Sequence, residues 1–591
     1  MAMLTMSDAH ICWISGPVLR ATTDSIFRIN ESVLIGTRKL LGEVIRIDGS
    51  NITVQVYEDT TGLRPGDPIH RTGSELSVRL GPGLLGNIYD GLLRPLHTQG
   101  RHVQQGYDIP ASSDTYPFSP AIKPGQQLMA GHIIGHIDQQ NAHSLLCLAP
   151  PDCQGRVISV AATGEYTEEE VICEIECDDG NAREVCLSQH WPVRRPRPIK
   201  ERIPTEGPLL TGQRILDSLF PLACGGRAAM PGGFGTGKTV LQETLAKWCD
   251  ADIIIYVGCG ERGNEMAGVL HEFPALEDPL TGRPLMERTV IIANTSNMPV
   301  AAREASIYTA VTVGEYFRDQ GMRVALMADS TSRWAESLRE ISGRLGELPS
   351  EAGYPAYLSS RLADFYERAA HVRTLAGSVG SLSIIGAISP PSADFSEPVT
   401  THTKRYVRCF WALDATRAHA RFYPAINPLL SYSQDTEVLS DFWKQQGNPE
   451  WPAQRRHFLT LLEQQSRLER MARIVGKEAL PSRQRHVLMC AELINNAFLR
   501  QSAYSKVDRF CSPERQIAMM QIIIHFIEQS EAAMGDGVSA EQISGMKIMR
   551  RLHRMNEDIG EDQLEKFQSL QNSLDIELGQ LTKEATSAPS M

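Results

Sequence analysis

The segment from Gly232 to Thr239 constrains the fold of this chain more than any other feature. It reads Gly-Gly-Phe-Gly-Thr-Gly-Lys-Thr and fits the pattern G-x-x-x-x-G-K-[ST]. Glycines at these positions let backbone N–H groups turn inward around phosphate oxygens, because no side chain blocks the approach. A loop of this kind lies between a strand and a helix, so the motif predicts an α/β domain around it.

Two side chains at the end of this loop have the chemistry that a nucleotide phosphate needs. Lys238 brings a compact positive charge to the β- and γ-phosphates, and Thr239 offers a hydroxyl to Mg²⁺. The sequence predicts a helix over Val240–Trp248, whose N-terminal dipole favours the anion. The dinucleotide-binding pattern G-x-G-x-x-G fits less well, because the loop glycines are spaced by two: Gly233, Gly235 and Gly237.

The region around the loop, residues 208–435, alternates between buried strands and helices. Continuous apolar runs of strand length are separated by helical stretches, such as the one at Ala301–Gln320. This alternation predicts a parallel sheet covered on both faces. The predicted strands are Ile253–Val257, Thr289–Ala293, Val324–Ala328 and Leu382–Ile388.

Polar residues follow two of these strands, at the sheet edge where open parallel sheets bind ligands. Asp329 can complete the Mg²⁺ shell next to Thr239. Glu261 lies on a glycine-rich turn, from which it can orient a water for in-line attack, and Arg262 can neutralise charge on the transferred phosphoryl group. Taken alone, Asp329 is also typical of a helix cap, and Glu261–Arg262 of a surface pair.

The rest of the chain indicates three further domains. Short, β-branched strands with Gly-containing turns predict a closed N-terminal β-barrel, and a Pro- and Gly-rich region without long helices predicts a second β-rich domain. After about Thr436, amphipathic helices dominate. A basic, proline-rich segment, Trp191–Pro198, is read as a stiff connector, with peptide-module binding as the alternative. The predicted domains are residues 1–75, 98–190, 208–435 and 436–591.

Composition excludes several classes of protein. The chain has 591 residues, with 58 Lys and Arg against 70 Asp and Glu, a net charge of −12. This balance argues against a broad nucleic-acid-binding surface. No run approaches the roughly 18 apolar residues of a membrane-spanning helix, and no secretory signal is evident. The twelve scattered cysteines are expected to be reduced thiols.

With these motifs in place, the sequence resembles the catalytic A subunit of vacuolar/archaeal-type rotary ATPases over nearly its whole length. The resemblance implies a multidomain α/β protein with an N-terminal β-barrel, a β-rich bulge domain, a P-loop (RecA-like) parallel α/β domain and a C-terminal helical domain. Besides the phosphate loop, the matching segments are Gly81–Gly91, Trp191–Pro198, Thr211–Arg214, Gly258–Met266, Asp329–Glu336, Gly353–Tyr357, Asp394–Pro398, Pro424–Asn427 and Ser431–Tyr432.

By position, the resemblance assigns roles to individual residues. Lys238 and Arg262 contact phosphate, Glu261 activates water, and Thr239 with Asp329 holds Mg²⁺. Tyr423 and Tyr504 align with the adenine platform, where relatives often carry Phe; the stacking face is kept and a hydroxyl is added. The implied ATP- or ADP-binding residues are these two tyrosines with Gly232, Gly233, Phe234, Gly235, Thr236, Gly237, Lys238, Thr239 and Val240.

The resemblance also implies partners and a location. Three A subunits alternate with three B subunits, which supply the arginine finger, around a central rotor stalk beside peripheral stalk subunits. ATP hydrolysis or synthesis is coupled to H⁺ or Na⁺ transport by a separate membrane sector, so the expected place is peripheral, at the cytoplasmic face of a membrane. Thr236 stands where many eukaryotic members have Cys, and the plain termini suit a prokaryotic member.

Three other functions fit the sequence less well. A non-catalytic nucleotide-binding subunit is disfavoured, because Lys238, Thr239 and Glu261 are all present. A related ATPase for protein export or RNA translocation is disfavoured by the extra β-rich segment and the acidic charge. A beta subunit of the F-type synthase would also lack that segment.

Overall fold

A computed structural model describes residues 8–96, 106, 113–138, 144–177, 180–205, 207–278 and 281–587. The chain forms two compact units. The first contains residues 1–204, 224–227 and 251–407, and the second contains residues 205–223, 228–250 and 408–591. The predicted limits at Met1, Thr98 and Met591 lie outside the described residues, and the boundaries between the four predicted domains stay predictions.

The first unit begins with a closed barrel of six antiparallel strands, in the order β1-β2-β5-β4-β3-β6. Alternate apolar residues such as Val33, Val44 and Val54 point into it and are fully buried. Closure leaves no exposed sheet edge, and the predicted β-barrel is confirmed. The strands are β1 (Ala9–Ser15), β2 (Val18–Thr23), β3 (Glu31–Ile35), β4 (Leu40–Asp48), β5 (Asn51–Val56) and β6 (Pro68–Glu75).

The next part of the first unit is also β-rich, as predicted. It contains two four-stranded antiparallel sheets, in the orders β10-β13-β15-β16 and β12-β11-β9-β14, while β17 pairs with β7. The strands are β7 (Ser77–Leu80), β8 (Ile88–Tyr89), β9 (Thr115–Pro120), β10 (Gln127–Leu128), β11 (Ile133–Ile137), β12 (Leu145–Leu148), β13 (Gly155–Val160), β14 (Gly164–Thr167), β15 (Val171–Cys177), β16 (Ala182–Cys186) and β17 (Gln189–Pro192).

Strands and helices then alternate, as the phosphate-loop motif requires. They are β18 (Glu201–Arg202), β19 (Arg227–Pro231), α1 (Lys238–Trp248), β20 (Ile253–Glu261), α2 (Gly263–Glu272), β21 (Thr289–Thr295), α3 (Val300–Asp319), β22 (Arg323–Asp329), α4 (Thr331–Leu345), α5 (Leu358–Tyr366), β23 (Ala370–Arg373), β24 (Val379–Ile388), α6 (Pro398–Tyr406), β25 (Cys409–Phe410), α7 (Ala415–His419) and β26 (Tyr432–Ser433).

In the first unit these strands build a mostly parallel sheet in the order β8-β21-β20-β22-β24, and β23 pairs antiparallel with β24 and with β18. All four predicted strands are present and extend one to four residues further than predicted. Nearly every residue of the long helix α3 is buried. The parallel α/β prediction is therefore confirmed.

In the second unit, β19 pairs in parallel with β25, and β25 pairs antiparallel with β26. Helices follow, and no strand occurs among described residues 434–587. Trp443 stacks on Trp451 at 5.5 Å between ring centres in their core. The helices are α8 (Ser440–Gln445), α9 (Trp451–Val475), α10 (Ser482–Leu493), α11 (Pro513–Gly535), α12 (Ala540–Ser544), α13 (Lys547–His553), α14 (Met555–Asp558) and α15 (Glu565–Ser587).

Shorter turns complete the description. Within the described part of the chain, no helix is both long enough and apolar enough to cross a membrane. All twelve cysteines are free thiols, as expected. The π-helical turns are Ile215–Leu219 and Ile494–Leu499, and the 3-10 turns are Pro82–Leu84, Phe273–Ala275, Leu285–Arg288, Glu351–Gly353, Pro391–Ala393 and Lys477–Ala479.

Candidate nucleotide site

The phosphate loop joins the end of β19 to the start of α1. Gly235 and Gly237 have φ angles of +76° and +81°, a region that residues with a side chain rarely adopt. Thr236 is buried, and its hydroxyl donates to the carbonyl of Gly233 at 2.8 Å. The loop therefore curls over its own backbone, and Lys238 and Thr239 form the first turn of the helix.

A pocket of about 440 Å³ lies beside the loop, entirely within the second unit. A Cβ atom on Gly237 would lie 3.4 Å from the Tyr423 ring, so this aromatic side chain closely approaches the loop backbone. Tyr504 is 87% exposed and lines the same pocket. The other lining residues are Gln213, Gly235, Val240, Leu241, Thr244, Leu413, Arg421, Pro424, Ala425, Arg500, Gln501, Ser502 and Ala503.

Gln501 ties together the segments that carry the two tyrosines. Its backbone N–H donates to the carbonyl of Tyr423 at 2.8 Å, and its side-chain amide donates to the carbonyl of Gly212 at 2.8 Å. Its side-chain oxygen accepts from the backbone N–H of Arg214 at 2.9 Å. A buried glutamine with these contacts holds one wall of the pocket against the loop that contains Thr211–Arg214.

Arg214 is fully buried and anchors the same wall. Its guanidinium contacts Asp508 at 2.6 Å and donates to the carbonyls of Phe498 and Arg500 at 2.6 and 2.7 Å. Burial alone would lower the pKa of Arg214, but the attraction of Asp508 outweighs it and the pKa lies above its usual value. A buried charge that is this fully paired fixes the position of the segment leading to Tyr504.

In the first unit, β20 carries Glu261 as its last residue. The sequence predicts a turn from Gly258 to Gly263, and that prediction is wrong: the strand continues to Glu261 through a bulge between Cys259 and Glu261. The bulge is possible because Gly260 has a φ of +72°, and a Cβ there would lie 2.8 Å from the side chain of Arg303. Arg262 then occupies the position before the first residue of α2, with an extended backbone.

Asp329 ends the neighbouring strand, as predicted. It pairs in register with Gly258 of β20, so Asp329 and Glu261 lie at the carboxyl edges of adjacent parallel strands. Asp329 is buried, and the hydroxyl of Tyr256 donates to its Oδ2 at 3.2 Å. Burial lowers the pKa of Arg333, but the negative charges of Glu336, Glu261 and Glu265 together raise it above its usual value. The carboxylate of Glu261 therefore contributes to the electrostatic field at Arg333.

The predicted site residues therefore fall into two groups. The first unit brings Glu261, Arg262 and Asp329 to one sheet edge. The second unit holds Lys238 and Thr239 at the start of α1, whereas the two tyrosines line the pocket beside the loop. That both groups act on one nucleotide stays a prediction. Among the pocket residues that the sequence did not predict are both of its arginines, Arg421 and Arg500, because no local motif marks either position.

The predicted Mg²⁺ ligands are oxygen donors. Within the described ranges, no group of three or more His, Cys, Asp or Glu side chains is arranged to hold a metal ion. A hydroxyl from Thr239 and a carboxylate from Asp329 are hard oxygen donors of the kind that Mg²⁺ prefers. Mg²⁺ is usually held by one or two such groups, water and substrate phosphates, so the residues present fit it.

A glycine loop between a strand and a helix, beside an aromatic-walled pocket, defines a nucleotide-binding protein of the P-loop class. The family model described as "ATP synthase alpha/beta family, nucleotide-binding domain" matches residues 212–433. Further models match the beta-barrel domain at 11–73, the barrel-sandwich domain at 111–194 and the C-terminal domain of V and A type ATP synthase at 440–543.

Curated relatives narrow the class further. The chain is 50% identical to the V-type ATP synthase alpha chain of Halothermothrix orenii, over 95% of this chain and 96% of that one. It is 49% identical to the A subunit of the A-type ATP synthase of Thermococcus sibiricus, over 92% and 94%. The corresponding protein of Methanopyrus kandleri is 48% identical, over 98% and 99%. The chain thus belongs to the family of V- and A-type ATP synthase A (alpha) subunits, the catalytic subunits of these enzymes.

A solved structure shares the fold. The assembled ATPase EscN of an enteropathogenic E. coli type III secretion system superposes with a TM-score of 0.62, at 23% identity, over 87% of this chain and 100% of that one. Such a likeness shows the fold alone. The relatives that are about 50% identical over nearly full length place this chain with the ATP synthases.

Proposed function

We propose that this chain hydrolyses or synthesises ATP at interfaces between A and B subunits, coupled to H⁺ or Na⁺ transport across a membrane. The observation that carries the proposal is the phosphate loop, with Lys238 and Thr239 at the start of α1, next to a pocket of about 440 Å³ with two tyrosines in its wall. An aromatic wall suits a nucleobase, and the helix N-terminus suits its phosphates.

In this proposal, different residues of the chain bind the base, bind the phosphates, hold the metal ion and promote the reaction. Tyr423 and Tyr504 hold the base, while Lys238 and the loop N–H groups orient the phosphates. Thr239 and Asp329 hold Mg²⁺, which neutralises charge on the phosphate oxygens when bound. Glu261 orients the attacking water and accepts its proton, and Arg262 stabilises charge on the phosphoryl group.

In this proposal, other subunits supply the remaining catalytic residue and the stalks of the enzyme. A neighbouring B subunit supplies the arginine finger, and three A and three B subunits form an alternating ring. The ring acts on a central rotor stalk, is held by peripheral stalk subunits, and sits peripherally at the cytoplasmic face of the membrane. The family names of the relatives support a multisubunit enzyme of this kind.

The role of Glu261 is tested by Glu261→Gln in the assembled complex. The amide keeps the size of the side chain but cannot accept the proton, so hydrolysis is expected to fall by at least about a hundredfold, as for loss of a general base. The affinity for Mg-ATP, measured by calorimetry, is expected to stay within about threefold, a small free-energy change.

Glu265→Gln is the matched control, because Glu265 lies one turn further along, in α2, and also contributes to the field at Arg333. It is expected to keep near-normal turnover. Normal turnover by the Glu261 variant would remove the assigned role.

A further inference from the structure

Cysteine is concentrated in one part of the first unit, the region from β9 to β16. This region holds five of the twelve thiols of the chain: Cys147, Cys153, Cys173, Cys177 and Cys186. Two of them meet, because the Sγ atoms of Cys153 and Cys177 lie 3.9 Å apart although the residues are 24 positions apart in the sequence. A disulfide needs its two sulfurs at about 2 Å, so side-chain rotation has to close a gap of only about 2 Å.

The pairing of β13 with β15 brings these two thiols together. Cys177 is the last residue of β15 and pairs with Gly155, the first residue of β13. Cys153 lies two residues before that glycine, in a turn in which its N–H donates to the carbonyl of Pro150 at 3.0 Å. A Cβ atom on Gly155 would lie 2.1 Å from the carbonyl oxygen of Glu176, so the absence of a side chain lets the turn approach β15 closely.

Two thiols at this distance can serve as metal ligands, as core residues or as the two halves of a disulfide. A zinc site needs four ligands as a rule, and the residues that the structure covers contain no set of three or more suitable side chains. A free cysteine often acts only as a small apolar residue in a core. Core packing is therefore the alternative that an experiment has to separate from disulfide formation.

The two thiols differ in exposure, and this difference sets the order in which they react. Cys177 is partly exposed, whereas Cys153 is only 1% exposed. Burial, together with the neighbouring Cys177 thiol, raises the pKa of Cys153 to about 11, so little of it is the nucleophilic thiolate at neutral pH. A small oxidant in solution therefore reacts with Cys177 first.

We propose that Cys153 and Cys177 are a reversible redox-modification site, which a low-molecular-weight disulfide converts into an intramolecular disulfide. The thiolate of Cys177 attacks one sulfur of the reagent, whose S–S bond breaks and releases one thiolate. The thiolate of Cys153 then attacks Sγ of Cys177 in the mixed disulfide and releases the second thiolate. The chain loses two electrons and two protons, and the reagent gains both and leaves as two thiols.

The new bond closes a covalent loop that passes through both four-stranded sheets of this region. The segment between the two cysteines contains β13, β14 and β15. Strands β13 and β15 belong to one sheet, whereas β14 belongs to the other. Because a cross-link restricts the unfolded chain, it stabilises the folded region. Oxidation therefore stabilises these three strands against local unfolding, and reduction removes this stabilisation.

The test treats the full chain with oxidised glutathione, alkylates the remaining thiols, and digests the chain without reductant for mass spectrometry. A peptide cross-linked between Cys153 and Cys177 is expected, and it is expected to disappear after treatment with dithiothreitol. Cys153→Ser is expected to trap the glutathione adduct on Cys177, and Cys177→Ser is expected to leave Cys153 unmodified. Cys186→Ser is the matched control, because Cys186 is another partly exposed thiol of the same region, and this variant is expected to form the bond as the parent does.

The parent chain decides the proposal even where a variant fails to fold. A lasting glutathione adduct on Cys177, no reaction at either thiol, or a bond between another pair would overturn it in favour of core packing. The stabilising effect is measured by hydrogen exchange of β13, β14 and β15, which is expected to slow at least about tenfold on oxidation of the parent. Equal exchange in the oxidised and reduced chains would overturn that part of the proposal.

Discussion

Two tyrosines carry the base-binding part of the proposed site, and they do so in different surroundings. Tyr423 lies against the backbone of Gly237, whereas Tyr504 is 87% exposed and contributes an open wall. An exposed aromatic ring contributes little to the stability of the fold. Tyr504 is therefore the residue at which a binding role can be measured apart from folding.

Tyr504→Ala is expected to weaken nucleotide binding without unfolding the chain. Loss of base stacking costs about 1–3 kcal/mol, which raises the Kd for ATP by roughly ten- to a hundredfold. Tyr504→Phe keeps the ring and is the matched control, with a Kd expected within about twofold of the parent, since stacking depends on the ring face. Equal affinities of the Ala and Phe variants, measured by calorimetry, would contradict the stacking role.

Asp217 gives a prediction about pH. It is buried, and burial raises its pKa to about 6 although Thr211 and Gln516 donate hydrogen bonds to its carboxylate. The folded state therefore holds the proton more tightly than the unfolded chain does. The stability that this proton contributes is complete below about pH 4 and is lost as the pH rises through about 6.

Asp217→Asn removes that titration. The variant is expected to be destabilised at every pH, because an amide cannot accept all four hydrogen bonds that the carboxylate receives. The loss is expected to be larger at pH 4 than at pH 7, by up to about 3 kcal/mol for a shift of about two pKa units. Melting temperatures of the two chains across this range are the measurement, and a difference that does not vary with pH would contradict it.

At the scale of elements, the loop Thr211–Arg214 connects the pocket wall to the helices of the second unit. Gly212 has a φ of +70°, and a Cβ atom there would lie 2.3 Å from the ring of Phe510. The same loop accepts from Gln501 and from the backbone N–H of Cys511. Close approach of backbone and ring is possible only because position 212 has no side chain.

Gly212→Ala is expected to destabilise the chain by about 2–4 kcal/mol, combining backbone strain of about 1 kcal/mol with overpacking of about 1–3 kcal/mol. Gly447→Ala is the matched control, because Gly447 also has a positive φ, +92°, and nothing within 4 Å of its Cβ position. The control measures the strain alone. Equal melting temperatures for the two variants would show that the contact with Phe510 is unimportant.

At the scale of the whole molecule, the chain is one part of a larger enzyme. Its relatives are A subunits of ATP synthases, and the proposal places the arginine finger on a neighbouring B subunit. Such a finger contributes about 10³–10⁵ in rate. The described part of the chain contains the phosphate loop and the carboxylates, and under this proposal a second subunit completes the catalytic set.

The isolated chain is accordingly expected to hydrolyse ATP at least about a thousandfold more slowly than the complex with B subunits. Addition of the B partner is expected to restore turnover together with a three-plus-three ring, observed by native mass spectrometry. Glu261→Gln complexes serve as the control, because they are expected to assemble without gaining activity. Rapid turnover by a strict monomer would contradict the division of roles.

The sequence by itself determined the phosphate loop, the alternation of strands and helices and the barrel, because these depend on local residue patterns. Apolar runs around Ile253 and Val324 are buried on both faces, so their continuous apolar character and their strand-like length identify them. The position of Asp329 could be predicted in the same way, because it is the first polar residue after the apolar run and ends the strand.

Only the tertiary structure decided what depends on residues far apart in the chain. The extension of β20 to Glu261 needs the pairing of its bulge with β21, and the anchoring of Tyr504 needs Arg214 next to Asp508, 294 residues away. A cavity of about 470 Å³ in the first unit is lined by Arg197 of the connector, by residues of α3 and by Arg368, which are far apart in the sequence. Local periodicity reports which face of an element is buried, but charges that meet across long loops have no local pattern, so folding alone brings them together.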